Sequence, residues 1–342
     1  MLRFKPEKVT SYVFKLSFVL FLLLMLIFPT ASLIGAKRGL LLWFNTVLPT
    51  LLPFIIISTL IVRLNIAHAL CSLLHPVIGH ILHVSKNACY PIVIGFLSGI
   101  PMGAKTSADM IKDKKITIAE GQFLAILCNN ASPMFVLGYI ALSELKLPNI
   151  KFILILLIYG SSIVTACLFR KYYKFFTHQQ YTSSLISESQ PIHYEQKVYA
   201  LSTDISNKKR KKGFRIDFTL IDDAIMDGFN VITRIGGYII LFSILAQIIL
   251  SFHQVNEYLR MILVGILEIT IGIDTIATST LEMSTKIVLI LAITAFGGFS
   301  GLAQTKSVFA DSGLSIKSYL KAKILNMLIT LSITLLYVKL VL

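Results

Sequence analysis

Two apolar stretches of this chain, each long enough to cross a bilayer, are interrupted in the middle by glycine. The first break reads Ser98-Gly99-Ile100-Pro101-Met102-Gly103-Ala104-Lys105-Thr106, and the second Gly297-Gly298-Phe299-Ser300-Gly301-Leu302-Ala303-Gln304-Thr305-Lys306. Lipid cannot satisfy a free N–H or C=O, so backbone that leaves the helix at bilayer depth must be buried in protein or line a wet cavity. A pair of such interruptions at corresponding positions of two halves points to the substrate site of a transporter.

The surroundings agree. The 342 residues are 55% apolar and only 14% charged, with a mean hydropathy of +0.78. Runs near 14–35, 39–62, 150–169, 231–252 and 318–341 reach the roughly 18 apolar residues of a spanning helix. An all-α polytopic membrane protein is expected, with about eight to ten crossings. The first run is too long for the apolar core of a cleaved signal, so it reads as an uncleaved helix.

The net charge of +15 is not a nucleic-acid signature, because its basic clusters flank apolar spans. They are Arg3-Phe4-Lys5-Pro6-Glu7-Lys8, Arg170-Lys171-Tyr172-Tyr173-Lys174 and Lys208-Lys209-Arg210-Lys211-Lys212. That pattern places the N-terminus and the stretch 171–220 in the cytoplasm, where basic segments also lie against anionic lipid. Cys71, Cys89, Cys128 and Cys167 are scattered in apolar sequence and read as small buried hydrophobes. His75, His80 and His83 have neither carboxylate nor cysteine beside them, so no metal site is expected. No hydrolase, zincin or phosphate-loop motif is present, which argues against an enzyme and against a bound cofactor.

The expected organisation is an N-terminal helix over 1–37, a first repeat with its closing helix over 38–170, a hydrophilic cytoplasmic loop over 171–220, and a second repeat over 221–342. The halves resemble each other in order: Leu74-His75-Pro76-Val77-Ile78-Gly79 with Leu267-Glu268-Ile269-Thr270-Ile271-Gly272, then the glycine breaks, then the approaches to Asn129 and Asn326. With the N-terminus inside, the repeats enter from opposite faces, which makes an inverted repeat with interrupted or re-entrant helices. The segments 67–84 and 88–111 either both cross or both re-enter from inside.

Ionisable groups at bilayer depth cost roughly 2.5–3.5 kcal/mol each on insertion scales, so they mark cavities or bundle interiors. Lys105 and Lys306 follow the breaks, where the free N–H groups of a starting half-helix already favour an anion. Facing each other, they would cradle a small dianion; alternatively they pair with Asp109 and Asp311 or snorkel to headgroups. Substrate contacts are expected from Ser98, Gly99, Gly103, Lys105 and Thr106 at the first break, and from Ser300, Gly301, Gln304, Thr305 and Lys306 at the second. Asn129, Asn130 and Ser132 beside Pro133 join them, or else clamp helices together. Glu268 with Thr270 is the candidate site for a coupling H+ or Na+, or a carboxylate with a basic partner.

Together, Leu48-Pro49-Thr50-Leu51-Leu52-Pro53-Phe54, Ser98-Gly99-Ile100-Pro101-Met102-Gly103-Ala104-Lys105, Asn129-Asn130-Ala131-Ser132-Pro133, Glu268-Ile269-Thr270-Ile271-Gly272 and Phe296-Gly297-Gly298-Phe299-Ser300 resemble the YlbJ family of sporulation integral membrane proteins. That family belongs to the nucleoside-recognition "Gate" group and is distantly similar to concentrative nucleoside transporters. The resemblance runs from about residue 38 to 335 and departs from the family pattern at Ile271, where Asn is usual. It implies transport of dipicolinic acid across the mother-cell-derived outer forespore membrane, or residence in the bacterial cytoplasmic membrane. A nucleoside or nucleobase permease is the alternative, or a non-transporting scaffold or gate for a sporulation complex. Expected partners are a small organic anion, the lipid bilayer, a coupling cation and further copies of the chain, with no nucleic acid.

Overall fold

Every regular element among the described residues is a helix. The computed structural model describes residues 6–64, 66–173, 218–252 and 254–341. Most of the hydrophilic stretch 171–220, with its basic run at 208–215, lies outside the described residues. Five helical segments are long and apolar enough to span a membrane: Pro29–Ile61, Pro148–Arg170, Phe218–Ser251, Met283–Val308 and Ile316–Val341. The chain is a multi-pass integral membrane protein.

The first helix, α1, spans Pro6–Ile27, and α2 spans Pro29–Leu42. The two helices meet at Phe28, and residue 37 lies inside α2. Proline lacks an N–H and crowds the preceding turn, so Pro29 ends one helix and starts the next. A π-helical turn at Trp43–Val47 joins α2 to α3 (Leu48–Arg63), making one kinked span. That span packs along α9 (Phe218–Ser251), where Gly35 and Gly39 let the backbones approach. The Trp43 indole N–H donates to the Ile232 carbonyl at 2.9 Å across this contact. Val47, Leu52, Ile55, Val231, Ile232, Ile235 and Ile239 form the apolar seam of this first layer.

The second layer repeats a three-part pattern. Helices α5 (Cys89–Ser98) and α6 (Met102–Lys112) fold back on each other as a hairpin, with Gly95 packed against Gly103. A broken span follows: α7 (Ile118–Cys128), a non-helical turn, and a π-helical segment Phe135–Glu144. The long helix α8 (Lys151–Tyr173) returns to the starting face. After α9, the helices α10 (Glu257–Leu267) and α11 (Ile269–Ala277) make a second hairpin, with Gly272 against Gly265. Then comes a second broken span, α12 (Met283–Phe296) and α13 (Gly298–Val308), and a second long helix, α14 (Ile316–Val341).

The chain path orients the two units. The base of the first hairpin, the start of α7 and the end of α8 share the face that carries Lys112, Lys114, Lys115 and Arg170. The base of the second hairpin lies instead in the cluster of Leu145 and Leu154, through Met261 and Ile276, so the two hairpins enter from opposite ends of the bundle. Helix α4 spans Ile66–Leu82. It begins just after Arg63, which pairs with Asp223 and Asp227 at 2.9 and 2.5 Å, and its last carbonyls, Leu82 and His83, accept from Arg170 at the basic face. The segment 88–111 folds back on itself, and Asn87 Nδ2 donates to the Lys115 carbonyl at 3.0 Å where its two ends meet.

The long helices are apolar outside and polar within. Phe152 and Leu156 on α8 and Leu336 and Leu340 on α14 are exposed, whereas Ser161 and Thr165 meet Thr330 and Asn326 in the interior, and Ser162 meets Asn130. Such exchanges of hydroxyls and amides hold helices together where lipid offers no hydrophobic drive. Cys71, Cys89 and Cys128 are buried as expected; Cys167 is not, and sits exposed on α8.

Candidate functional site

Four breaks meet at one place. At the tip of the first hairpin Gly99 takes φ 76°, and a Cβ there would lie 2.7 Å from Ser132 N and 2.9 Å from Asn130 O. Only glycine fits both the conformation and the space. The next residue, Ile100, donates its N–H to the Asn130 carbonyl at 2.9 Å, which fastens the tip to the break in the first broken span. Ser98 meets Ser58 of α3, oxygen to oxygen, at 2.8 Å.

That break is held by its amides. Asn129 Oδ1 accepts the Ala104 N–H at 3.2 Å, capping the first turn of α6, while Nδ2 donates to Thr305 Oγ1 and Tyr319 OH at 3.0 and 2.8 Å. Asn130 Nδ2 donates to the Leu127 carbonyl and Ser162 Oγ. Ser132 Oγ accepts the Phe135 N–H at 3.2 Å and caps the outgoing segment.

At the tip of the second hairpin Glu268 is extended, with φ −144° and ψ 118°, and 2% exposed. Its Oε2 accepts the Ile271 N–H at 2.8 Å and its Oε1 the Thr270 hydroxyl at 3.0 Å. Tyr139 of the first broken span donates to the Thr270 carbonyl at 2.8 Å. In the second broken span Gly297 and Gly298 take φ 87° and 67°, and α13 starts without a side-chain cap. Its first turns carry Ser300, Gly301 and Gln304.

These breaks enclose a cavity of about 60 Å³. Ser98, Ile100, Ala131, Ser132, Phe135, Glu268, Ile269, Thr270, Gly297, Ser300, Gly301 and Gln304 line it from the hairpin layer. Val47, Leu51, Ile235 and Ile239 close it from the first layer. Every polar lining group therefore belongs to the hairpins and broken spans, and the opposite wall is aliphatic.

A scan of described protein families finds no match, and no solved structure matches the chain. The sporulation integral membrane protein YlbJ of Bacillus subtilis (strain 168) is 26% identical over 329 residues, 91% of this chain and 78% of that protein. Over most of its length the chain is similar to YlbJ.

The motifs that carried the YlbJ resemblance all fall on the breaks or on α3. Of the expected contacts, Ser98, Ser132, Thr270, Glu268, Ser300, Gly301 and Gln304 come together around the cavity. Gly99 and Gly103 shape the first hairpin, and Asn129, Asn130 and Thr305 form the ties behind the wall. Thr106 bonds back to the Met102 carbonyl at 2.8 Å. Lys105 and Lys306 do not face each other across the cavity. Lys105 pairs with Asp109 at 2.7 Å, and Lys306 is exposed in the last turn of α13. The physical reason is length: each lysine stands a turn or more past its break, on the side of its helix turned from the cavity.

The pairing of the breaks also differs from the sequence expectation. The break at Ser98-Gly99 is a hairpin tip and so corresponds to Glu268, not to Gly297. The break at Gly297 lies within a span and corresponds to Asn129–Ser132. A buried cation absent from the expected set is Lys323 of α14, 2% exposed, whose ammonium donates to Asn130 Oδ1 at 2.9 Å. Its signal lies in the sequence: Tyr319, Lys323, Asn326, Thr330 and Thr334 recur at helical spacing and make one polar stripe.

Proposed function

We propose that this chain is an elevator-type transporter of a small polar solute, held between the two layers and carried by the hairpin layer. One observation supports this above others: the cavity has its polar groups on one layer and a smooth aliphatic wall on the other. A layer that keeps all hydrogen bonds to its guest can slide along such a wall without breaking them. Arg38 with Asp274 and Thr275, and Ser58 with Ser98, are polar ties that would hold one end state.

The likeness to YlbJ makes dipicolinate the leading guest, moved from the mother cell across the outer forespore membrane. The uncapped start of α13, with Ser300 and Gln304 beside it, suits a carboxylate. Glu268 on the other side would repel it unless a proton or Na+ stood between them, which makes the transport cation-coupled. The space of about 60 Å³ suits roughly four waters at ~10–15 Å³ each, so a ring-sized guest requires the layers to part.

A neutral polar solute such as a nucleoside is the second reading, favoured by a lining of hydroxyls, one amide and one carboxyl with no basic side chain. Uptake of radiolabelled dipicolinate and uridine into proteoliposomes, under H+ or Na+ gradients, separates the two. Saturable, gradient-driven dipicolinate uptake is the expected result. Uridine uptake without dipicolinate uptake would replace it by the second reading, and uptake of neither would leave a non-transporting sporulation component.

A further inference from the structure

Lys323 lies buried two turns into α14, where an ammonium is expensive and therefore seldom accidental. Among the described residues it forms no ion pair with a carboxylate. Its Nζ donates to Asn130 Oδ1 at 2.9 Å and stands 5.7 Å from the centre of the Tyr319 ring, a cation–π distance. An ammonium has donors only, so it fixes which way round the Asn130 amide stands. The Oδ1 faces Lys323, and the Nδ2 faces the Leu127 carbonyl at 2.7 Å and Ser162 Oγ at 2.8 Å.

Leu127 belongs to the last turn of α7. Through one amide, Lys323 is thus linked to the C-terminus of α7, where partial negative charge gathers; the Leu127 carbonyl also accepts from Ser162 Oγ at 2.8 Å. The Asn130 carbonyl in turn holds the Ile100 N–H at the tip of the first hairpin, and Ile100 lines the cavity. One asparagine joins the cation, the broken span and the hairpin tip. In transporters built from discontinuous helices, half-helix C-termini and unwound carbonyls are where inorganic coupling cations are held.

We propose that Lys323 is a built-in cation of this broken span. Its ammonium fills the place at the C-terminus of α7 that a bound inorganic cation would otherwise take, and so keeps the first hairpin fastened to Asn130 in the state that holds the guest. The inference rests on the transporter reading. Lys323 is a positioning residue, since it touches Asn130 and not the guest.

The test uses the full-length protein, purified and reconstituted, with dipicolinate and uridine as probes. Lys323→Met keeps the aliphatic stem and removes the charge; uptake of the probe that wild type carries is expected to fall by about tenfold or more. Lys323→Ala leaves a vacancy. Ethylammonium chloride, against choline chloride at equal ionic strength, is expected to restore much of the lost uptake and to raise that variant's melting temperature by several degrees. Wild type should respond to neither salt. Wild-type uptake by K323M overturns the proposal. So does a wild type stabilised by ethylammonium or sodium as strongly as K323A is. Should K323A not be purifiable, the K323M uptake and the wild-type salt response decide. Absence of uptake by wild type with both probes strikes the transporter reading instead, and the melting temperatures still decide the role of the cation.

Discussion

Glu268 Oε2 accepts the amide hydrogen of Ile271 at 2.8 Å, so the carboxylate that faces the cavity is also the N-cap of α11. The two roles separate by substitution. Glu268→Ala removes both, and the lost cap alone should cost about 1 kcal/mol, read as a lower melting temperature. Glu268→Gln keeps an acceptor for the Ile271 amide and should melt near wild type, yet lose uptake driven by a proton or sodium gradient. Full gradient-driven uptake by E268Q would move the coupling site elsewhere.

The two hairpins depend on glycine pairs that admit no side chain. A Cβ on Gly272 would lie 2.3 Å from Gly265 Cα, and one on Gly95 would lie 2.8 Å from Gly103 Cα. Gly272→Ala and Gly95→Ala should each destabilise by about 1–3 kcal/mol through overpacking. Gly160 of α8 has nothing within 4 Å of a built Cβ, so Gly160→Ala should be neutral or gain up to ~1 kcal/mol of helix propensity. Thermal unfolding in detergent compares the three. Equal melting temperatures for G272A and G160A would mean that the second hairpin is open enough at Gly265 to admit a methyl group.

How much of this was legible in the chain follows from what each residue must satisfy. The breaks at Gly99 and Gly297 were visible because backbone that leaves the helix in a membrane demands glycine and nearby polar groups. Glu268 was visible because an acid in an apolar run needs a reason. Which breaks correspond was not visible. A hairpin tip and a mid-span kink both read as apolar sequence, a break, then apolar sequence. They differ only in whether small residues flank the break at matched distance, as Gly95 with Gly103 and Gly265 with Gly272 do. Lys323 stayed hidden because Lys317 and Lys321 precede it, and the three read as one basic helix start. Burial separates them: Lys317 and Lys321 are exposed, and Lys323 is turned inward to an asparagine distant in sequence.

Ser58 and Ser98 join the two layers with hydroxyl oxygens 2.8 Å apart. If the hairpin layer slides during transport, this pair must separate in each cycle. Ser58→Cys with Ser98→Cys, in a background whose four native cysteines are replaced, should cross-link under mild oxidation and stop uptake, and reduction should restore it. Uptake that persists in fully cross-linked protein would rule out sliding along α3 and favour a fixed scaffold with moving hairpin tips.

Lys105 and Lys306 provide the sharpest separation of sequence expectation from structure. An anion cradle built from both requires their ammonium groups at the cavity, and neither lines it. Lys105 is tied to Asp109, itself half exposed, and a pair of that kind is worth about 0–1 kcal/mol. Lys105→Gln with Lys306→Gln should therefore leave the melting temperature within about 4 °C of wild type and the uptake of either probe within about a factor of five, since 1 kcal/mol corresponds to that factor. Loss of dipicolinate uptake with uridine uptake intact would show that the lysines reach the guest in another state of the cycle. The charge for a dianion would then come from them and not from helix ends.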